Sequence, residues 1–149
     1  MKGPRKILHL SSVNRFTVTL DDDPLIPKYI ENALEMPSHS FNDAECFLRK
    51  FRQLRPVGFF VDIHLGAGLP TGIEIVPKIK LAFPLVPLIV MTSDLNEMLL
   101  ADALQAGADD FIKKPVVASE LKARFNARLI AIRKQVQNKV VRFGDIALY

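Results

Sequence analysis

Val57-Gly58-Phe59-Phe60-Val61-Asp62 reads VGFFVD, an almost unbroken apolar run that ends in an acid. A strand with one wet face alternates polar and apolar residues. This one does not, so it is expected to be covered on both faces, as strands of a parallel sheet flanked by helices are. Leu85 to Met91 repeats the design and ends in Thr92-Ser93. Earlier in the chain, Phe16 to Leu20 alternates apolar residues with Thr17 and Thr19, then meets Asp21-Asp22-Asp23-Pro24. Phe111-Ile112 is a further short strand, and one more fits around Ser38 to Phe41.

Helical spacing fills the intervals. Pro24 suits the first turn of a helix with Ile26, Ile30, Ala33 and Leu34 on one side. Ala44, Phe47, Leu48, Phe51 and Leu54 form the second stripe. A third helix starts at Thr71 and contains Pro77, which removes a hydrogen bond at a cost of about 3 kcal/mol in a helix interior, so it is expected to be short or kinked. The Gly66 to Gly72 segment before it reads as a flexible loop. Asp94 and Glu97 stand in capping-box spacing ahead of Leu95, Met98, Leu99 and Leu104, with Gly107 as the stop. The last helix runs from about Ser119 to about Gln137 on Leu121, Phe125, Leu129, Ile132 and Val136. Strands alternating with helices imply βαβ units, hence an α/β doubly wound parallel sheet with helices on both faces.

The whole-chain numbers agree with a single domain. It has 149 residues, 49% of them apolar and 24% charged, and a net charge of +4. That composition excludes a disordered chain, and no apolar run reaches the length of a membrane span. A cytoplasmic location without membrane contact is the expectation. Cys46, the one cysteine, lies among Ala44, Phe47 and Leu48 and reads as core, which leaves no internal disulfide.

In open α/β sheets the ligand sits beyond the carboxyl ends of the strands. That edge gathers Asp21 to Asp23, Asp62, Thr92-Ser93 and Lys114. Each alone has a plain structural reading, as a helix cap, a turn residue or an exposed lysine. Together they are carboxylates from two strand ends with no cysteine or histidine at ligand spacing. Such a set suits a hard cation, Mg2+, and disfavours zinc. A hydroxyl and an ammonium at the same edge match the oxygens of a phosphoryl group, so phosphoryl transfer to a carboxylate is the natural reaction class.

The runs TVTLDDDPLI, FFVDIHL, PLIVMTSD and AGADDFIKKP, in that order, resemble the five-stranded, flavodoxin-like (CheY-like) receiver domain of two-component response regulators, over roughly Arg15 to Lys134. The resemblance implies that Asp62 is the phosphoacceptor for a sensor histidine kinase or phosphotransfer protein. It implies Asp22 as a direct Mg2+ ligand, Asp21 acting mainly through a metal-bound water, and His64 contributing its backbone carbonyl, with Asp62 completing the metal set. Thr92 would hydrogen-bond the phosphoryl group and Lys114 would pair with it. Pro115 would follow a cis peptide, and Phe111 would be the aromatic switch residue coupled to Thr92. Asp23 falls to capping the first helix.

The sequence departs from the family pattern in two places. The loop after Asp62 is longer and richer in glycine, and His64 places a titratable ring two residues past the acceptor.

The domain reading is an N-terminal extension over 1–14, a receiver over 15–137, and 138–149 as a linker or first strand of a missing output domain. VVRFGDIALY resembles the junction to the winged-helix DNA-binding domain of OmpR/PhoB-type regulators. DNA would be contacted only through that missing domain, giving a role in transcription. The same subfamily leaves room for a homodimer through the last two helices, using Asp109, Asp110, Glu120, Arg124 and Arg128. Two rival functions remain: a phosphorylation-independent pseudo-receiver, and a haloacid dehalogenase-like phosphatase with Asp21 as nucleophile and Asp23 as acid/base.

Overall fold

The computed structural model describes residues 14–66, 71–94 and 96–147, with side chains as far as Lys139. The expected N-terminal extension lies almost wholly outside these residues, as do Gly68 and Leu95. Strands β1 (Thr17–Leu20), β2 (Ser38–Phe41), β3 (Gly58–Asp62), β4 (Leu88–Thr92) and β5 (Asp110–Lys113) form one parallel sheet in the order β2-β1-β3-β4-β5. Between and after them run α1 (Leu25–Leu34), α2 (Ala44–Lys50), α3 (Gly72–Ala82), α4 (Glu97–Ala106) and α5 (Ala118–Ala147).

The alternation of side chains along each strand divides the core in two. Val18, Leu20, Phe59, Val61, Leu88 and Val90 face α2, α3 and α4, where they meet Phe47, Phe51, Ile75, Val76, Ile79 and Ala103. Phe60, Ile89, Met91 and Ile112 face α1 and α5, meeting Ile26, Ile30, Leu121 and Phe125. All five residues of β3 and of β4 are buried, as their uninterrupted apolar sequences require. At Gly58 α5 lies close against the sheet, because a Cβ there would run into the Phe125 ring.

Several expected boundaries shift. The helix α3 runs 11 residues straight through Pro77. It is fastened at its start by a reciprocal capping box, in which Thr71 Oγ1 accepts the Glu74 N–H and the Glu74 carboxylate accepts the Thr71 N–H. Four buried residues, Gly72, Ile75, Val76 and Ile79, then hold it to the sheet, so packing outweighs the one hydrogen bond that Pro77 forgoes. The cap of α4 is Asn96, whose side chain accepts the Met98 N–H, and not Asp94. The second stripe splits into α2 and a 3-10 turn over Phe51–Gln53.

At the C-terminus α5 continues to Ala147, so the described residues from 138 are helix where a strand was one expectation. Its first half packs on the sheet through Leu121, Phe125 and Leu129, and by Val136 the stripe is exposed.

Candidate functional site

Because every strand is parallel, the residues ending β1, β3, β4 and β5 arrive at one edge. Asp21 follows β1, Asp62 ends β3, Thr92 ends β4 and Lys114 follows β5. Asp21, Asp22 and Asp62 each place a carboxylate oxygen within 4.8 Å of the others. Lys114 stands between two of them, with Nζ 2.8 Å from Asp21 Oδ2 and 3.1 Å from Asp62 Oδ2. Asp21 and Asp62 are buried, whereas Asp22 is exposed.

The main chain orients the acids. Asp21 Oδ1 accepts the Asp23 N–H at 2.9 Å and Asp62 Oδ1 accepts the His64 N–H at 3.0 Å, which turns the remaining oxygens inward. Asp23 takes the role left to it, its Oδ1 accepting the Leu25 N–H at the start of α1. The third acid of the triplet therefore belongs to the helix, not to the carboxylate cluster.

Burial pushes the Asp21 carboxyl above its ordinary value, the Asp62 charge adds to this, and the Lys114 ammonium and the Asp23 N–H oppose it. Burial works against the Lys114 charge too, but Asp21 and Asp62 outweigh it and raise that ammonium above its usual range.

Asp21 Oδ2 is wholly buried, with the Lys114 ammonium 2.8 Å away. Three clustered carboxylates, two of them buried and sharing one ammonium, are a donor set suited to an oxygen-seeking divalent ion. The residues fit Mg2+.

Thr92 is buried at the edge, but its hydroxyl is turned into its own loop. Oγ1 accepts the Asp94 N–H at 2.9 Å and donates to the Asp94 carbonyl at 3.2 Å. Phe111 sits diagonally across from Thr92 on the same sheet face, since Val90 pairs with Phe111 and Thr92 with Lys113. Its ring is partly buried, with the Arg124 guanidinium 5.9 Å from the centroid. Arg124 is itself held by Glu120 and Asp110, which together raise its pKa further, Glu120 most. The Lys114-Pro115 peptide is cis. The His64 ring is exposed, with Nε2 3.9 Å from Asp94 Oδ2.

The charges suggested for a dimer find partners within the chain: Asp109 with Lys80 at 2.9 Å, and Asp110 with Arg124 at 3.2 Å and Arg128 at 3.5 Å. Asp110 opens β5 and Asp109 directly precedes it, at the sheet edge opposite Lys114. They are therefore remote from the acidic site.

Sequence reasoning missed two residues. Gly72 is not part of a flexible loop: it opens α3, its N–H donates to the Ile63 carbonyl at 2.9 Å, and a Cβ would collide with the carbonyl of Asp62. Asp94, expected at a cap, instead holds the Thr92 hydroxyl through its main-chain N–H and carbonyl. Glycine directly before a helical stripe was the available signal for the first; for the second there was none, because the contact depends on how the loop turns.

Residues 18–126 match the family model of the response regulator receiver domain. The nitrogen assimilation regulatory protein NtrX of Azorhizobium caulinodans is 32% identical over 105 residues, covering 68% of this chain and 23% of that protein. The KDP operon transcriptional regulatory protein KdpE of Escherichia coli is 28% identical over 136 residues, covering 87% of this chain and 58% of that one. The chain thus spans about a quarter of the first relative and rather more than half of the second. Among solved structures, a BeF3-activated DrrB receiver domain superposes with a TM-score of 0.69 at 26% identity, over 77% of this chain and 97% of that chain. NtrX from Brucella abortus gives a TM-score of 0.75 at 22% identity, over 85% of this chain and 29% of that one, which shows the shared fold. With the matched residues running from β1 into α5 and taking in every strand-end residue of the acidic edge, the chain belongs to the receiver-domain family of two-component response regulators.

Proposed function

We propose that Asp62 is the phosphoacceptor of this receiver, that Asp21, Asp22, Asp62 and the His64 carbonyl hold Mg2+, and that Thr92 and Lys114 receive the phosphoryl oxygens. The observation that carries this reading is the meeting of Lys114 with the Asp21 and Asp62 carboxylates at 2.8 and 3.1 Å, from three separate strand ends. In the reaction an Asp62 carboxylate oxygen attacks the phosphorus of a phosphohistidine; the P–O bond forms as the P–N bond breaks, and the departing imidazole takes up a proton. Hydrolysis returns the carboxylate and releases inorganic phosphate.

Bound Mg2+ supplies neutralisation of the charge that gathers on the phosphoryl oxygens. The protein's own groups do the rest. Lys114 Nζ, already in contact with Asp62, moves from carboxylate to phosphoryl oxygen and keeps a cation at the reacting centre. The Thr92 hydroxyl, released from Asp94, donates to another oxygen. Phe111, sharing its sheet face, follows that movement and alters the surface that α4 and α5 present. A sensor histidine kinase or phosphotransfer protein is the expected donor. A transcriptional output suits the regulators among the relatives, DNA being contacted by a domain other than this one, in the cytoplasm. Among the described residues no helix is long and apolar enough to cross a membrane.

Incubation with Mg2+ and acetyl phosphate, followed by intact mass measurement, tests the assignment. The expected result is one added phosphoryl group, absent in Asp62→Ala and absent without divalent ion. Modification persisting in Asp62→Ala would overturn it.

A further inference from the structure

The helix α5 is longer than the body it covers. Its 30 residues extend about 45 Å, whereas the 10 residues of α1, packed beside it on the same side of the sheet, extend about 15 Å. Among the described residues, the last of its apolar side chains packed against the core is Leu129. From there Leu129, Ile132 and Val136 follow one another at intervals of three and four, and the sequence continues the spacing at Val140 and Phe143. The mean interval is about 3.5, the period of a two-helix seam. Val136 is 37% exposed.

The flanks of this line are cationic. From Leu121 to Gly144 the sequence contains no acid. At about 3.6 residues per turn Arg133 falls on one side of the line and Lys139 on the other. Both are exposed, as is Lys134, and among the described residues none of the three pairs with an acid.

We propose that the second half of α5 is a docking surface for an acidic amphipathic helix of a partner protein, which lays its own apolar line along Ile132 and Val136 and sets carboxylates against Arg133 and Lys139. This goes beyond the phosphoryl chemistry at Asp62 and does not depend on it. A second copy of this chain is a poor occupant, because parallel pairing sets Arg128 of one copy against Arg133 of the other. A lipid surface calls for a broad apolar face, and this line is narrow with cations on both sides. Nucleic acid would engage the cations and leave the apolar line without a use.

The test titrates the whole chain into a labelled peptide of about three heptads, with isoleucine and leucine on its seam and glutamate on both flanks, beside the same peptide with lysine on its flanks. Fluorescence anisotropy reads binding, and sedimentation equilibrium of the chain alone reads self-association. The glutamate peptide is expected to bind at least about tenfold more tightly than the lysine one, and less tightly as salt rises. Val136→Asp is expected to weaken that binding about tenfold or more, because the burial of a valine is lost. Arg133→Glu combined with Lys139→Glu should transfer the preference to the lysine peptide. The three positions are exposed, so an unchanged melting temperature separates lost docking from lost fold. A glutamate peptide that binds no more tightly than the lysine one, or that is insensitive to Val136→Asp, overturns the proposal. So does a dimer of the chain alone that Val136→Asp dissociates, or tighter binding to phosphatidylserine vesicles or duplex DNA than to the glutamate peptide.

Discussion

Substituting Gly72 by alanine pits two physical effects against each other. Alanine is favoured over glycine within a helix by about 1 kcal/mol, so propensity alone makes Gly72→Ala stabilising. The close approach of α3 to β3 acts the other way: the added Cβ would stand 2.8 Å from Ile63 Cα and would collide with the carbonyl of Asp62. These are backbone atoms at the end of a central strand and cannot swing aside as a side chain end would. Overpacking of this kind costs roughly 1–3 kcal/mol, and relief here means moving the Asp62 peptide itself.

The balance is a net loss of up to about 2 kcal/mol. For a chain of this size that lowers the melting temperature by up to roughly 8 °C. With Asp62 in its proposed role, the chemical effect should be larger than the thermal one, since displacing a reacting group by about 1 Å can cost on the order of 100-fold in rate. Thermal unfolding by circular dichroism and phosphoryl loading from acetyl phosphate measure the two. Thr71→Ala is the companion variant: losing the cap costs about 0.5–2 kcal/mol without touching the Asp62 carbonyl, so it should melt lower yet load at a rate close to wild type. A Gly72→Ala protein that melts at or above wild type and loads normally would refute the reasoning.

Three further outcomes are expected. Lys114→Met strands two buried carboxylates without their cation, at a cost toward the lower end of the roughly 3–5 kcal/mol seen for broken buried pairs, because the lysine is partly exposed. Mg2+ should then raise the melting temperature more in this variant than in wild type, and a Mg2+-insensitive Lys114→Met would count against the shared site. Asp21 titrates above its ordinary 3.8, so its favourable contribution is complete below that value and is lost as pH rises through the raised folded value. Without Mg2+, urea unfolding should show wild type losing stability relative to Asp21→Asn across that window, whereas saturating Mg2+, which binds the ionised form, should reverse the slope; parallel profiles in both conditions would contradict the shift. Gly58→Ala drives a methyl into the buried Phe125 ring beneath α5 and should cost about 1–3 kcal/mol by denaturant unfolding while leaving Mg2+ affinity unchanged. An equal loss of Mg2+ affinity would mean that α5 and the acidic edge are not independent.

Much of the fold was legible because each element's burial is written in its residue pattern. The all-apolar runs before Asp62 and Thr92 became strands buried on both faces, and Ser38 to Phe41 became a strand at the expected residues. Pro77 and the Asp94-Glu97 spacing misled because local rules were outweighed: α3 is held by its capping box and four buried residues, and Asn96 lies closer to the first turn of α4 than Asp94 does. The final decapeptide was read by analogy as linker or strand. Nothing in its pattern predicted that α5 would continue through it to Ala147.

For the site, the sequence by itself determined the chemical inventory and, through the parallel order of strands, which edge would hold it. It could not determine where each polar atom points. Tertiary structure decided that Lys114 bridges Asp21 and Asp62, that Asp23 turns to cap α1, and that the Thr92 hydroxyl rests against Asp94. It also decided that Gly72 presses on the Asp62 carbonyl and that Asp110 pairs with α5 arginines at the far edge. The physical reason is one of range: periodicity reports which face of an element meets the core, whereas hydrogen-bond direction and van der Waals approach are set over a few ångströms by residues distant in the chain.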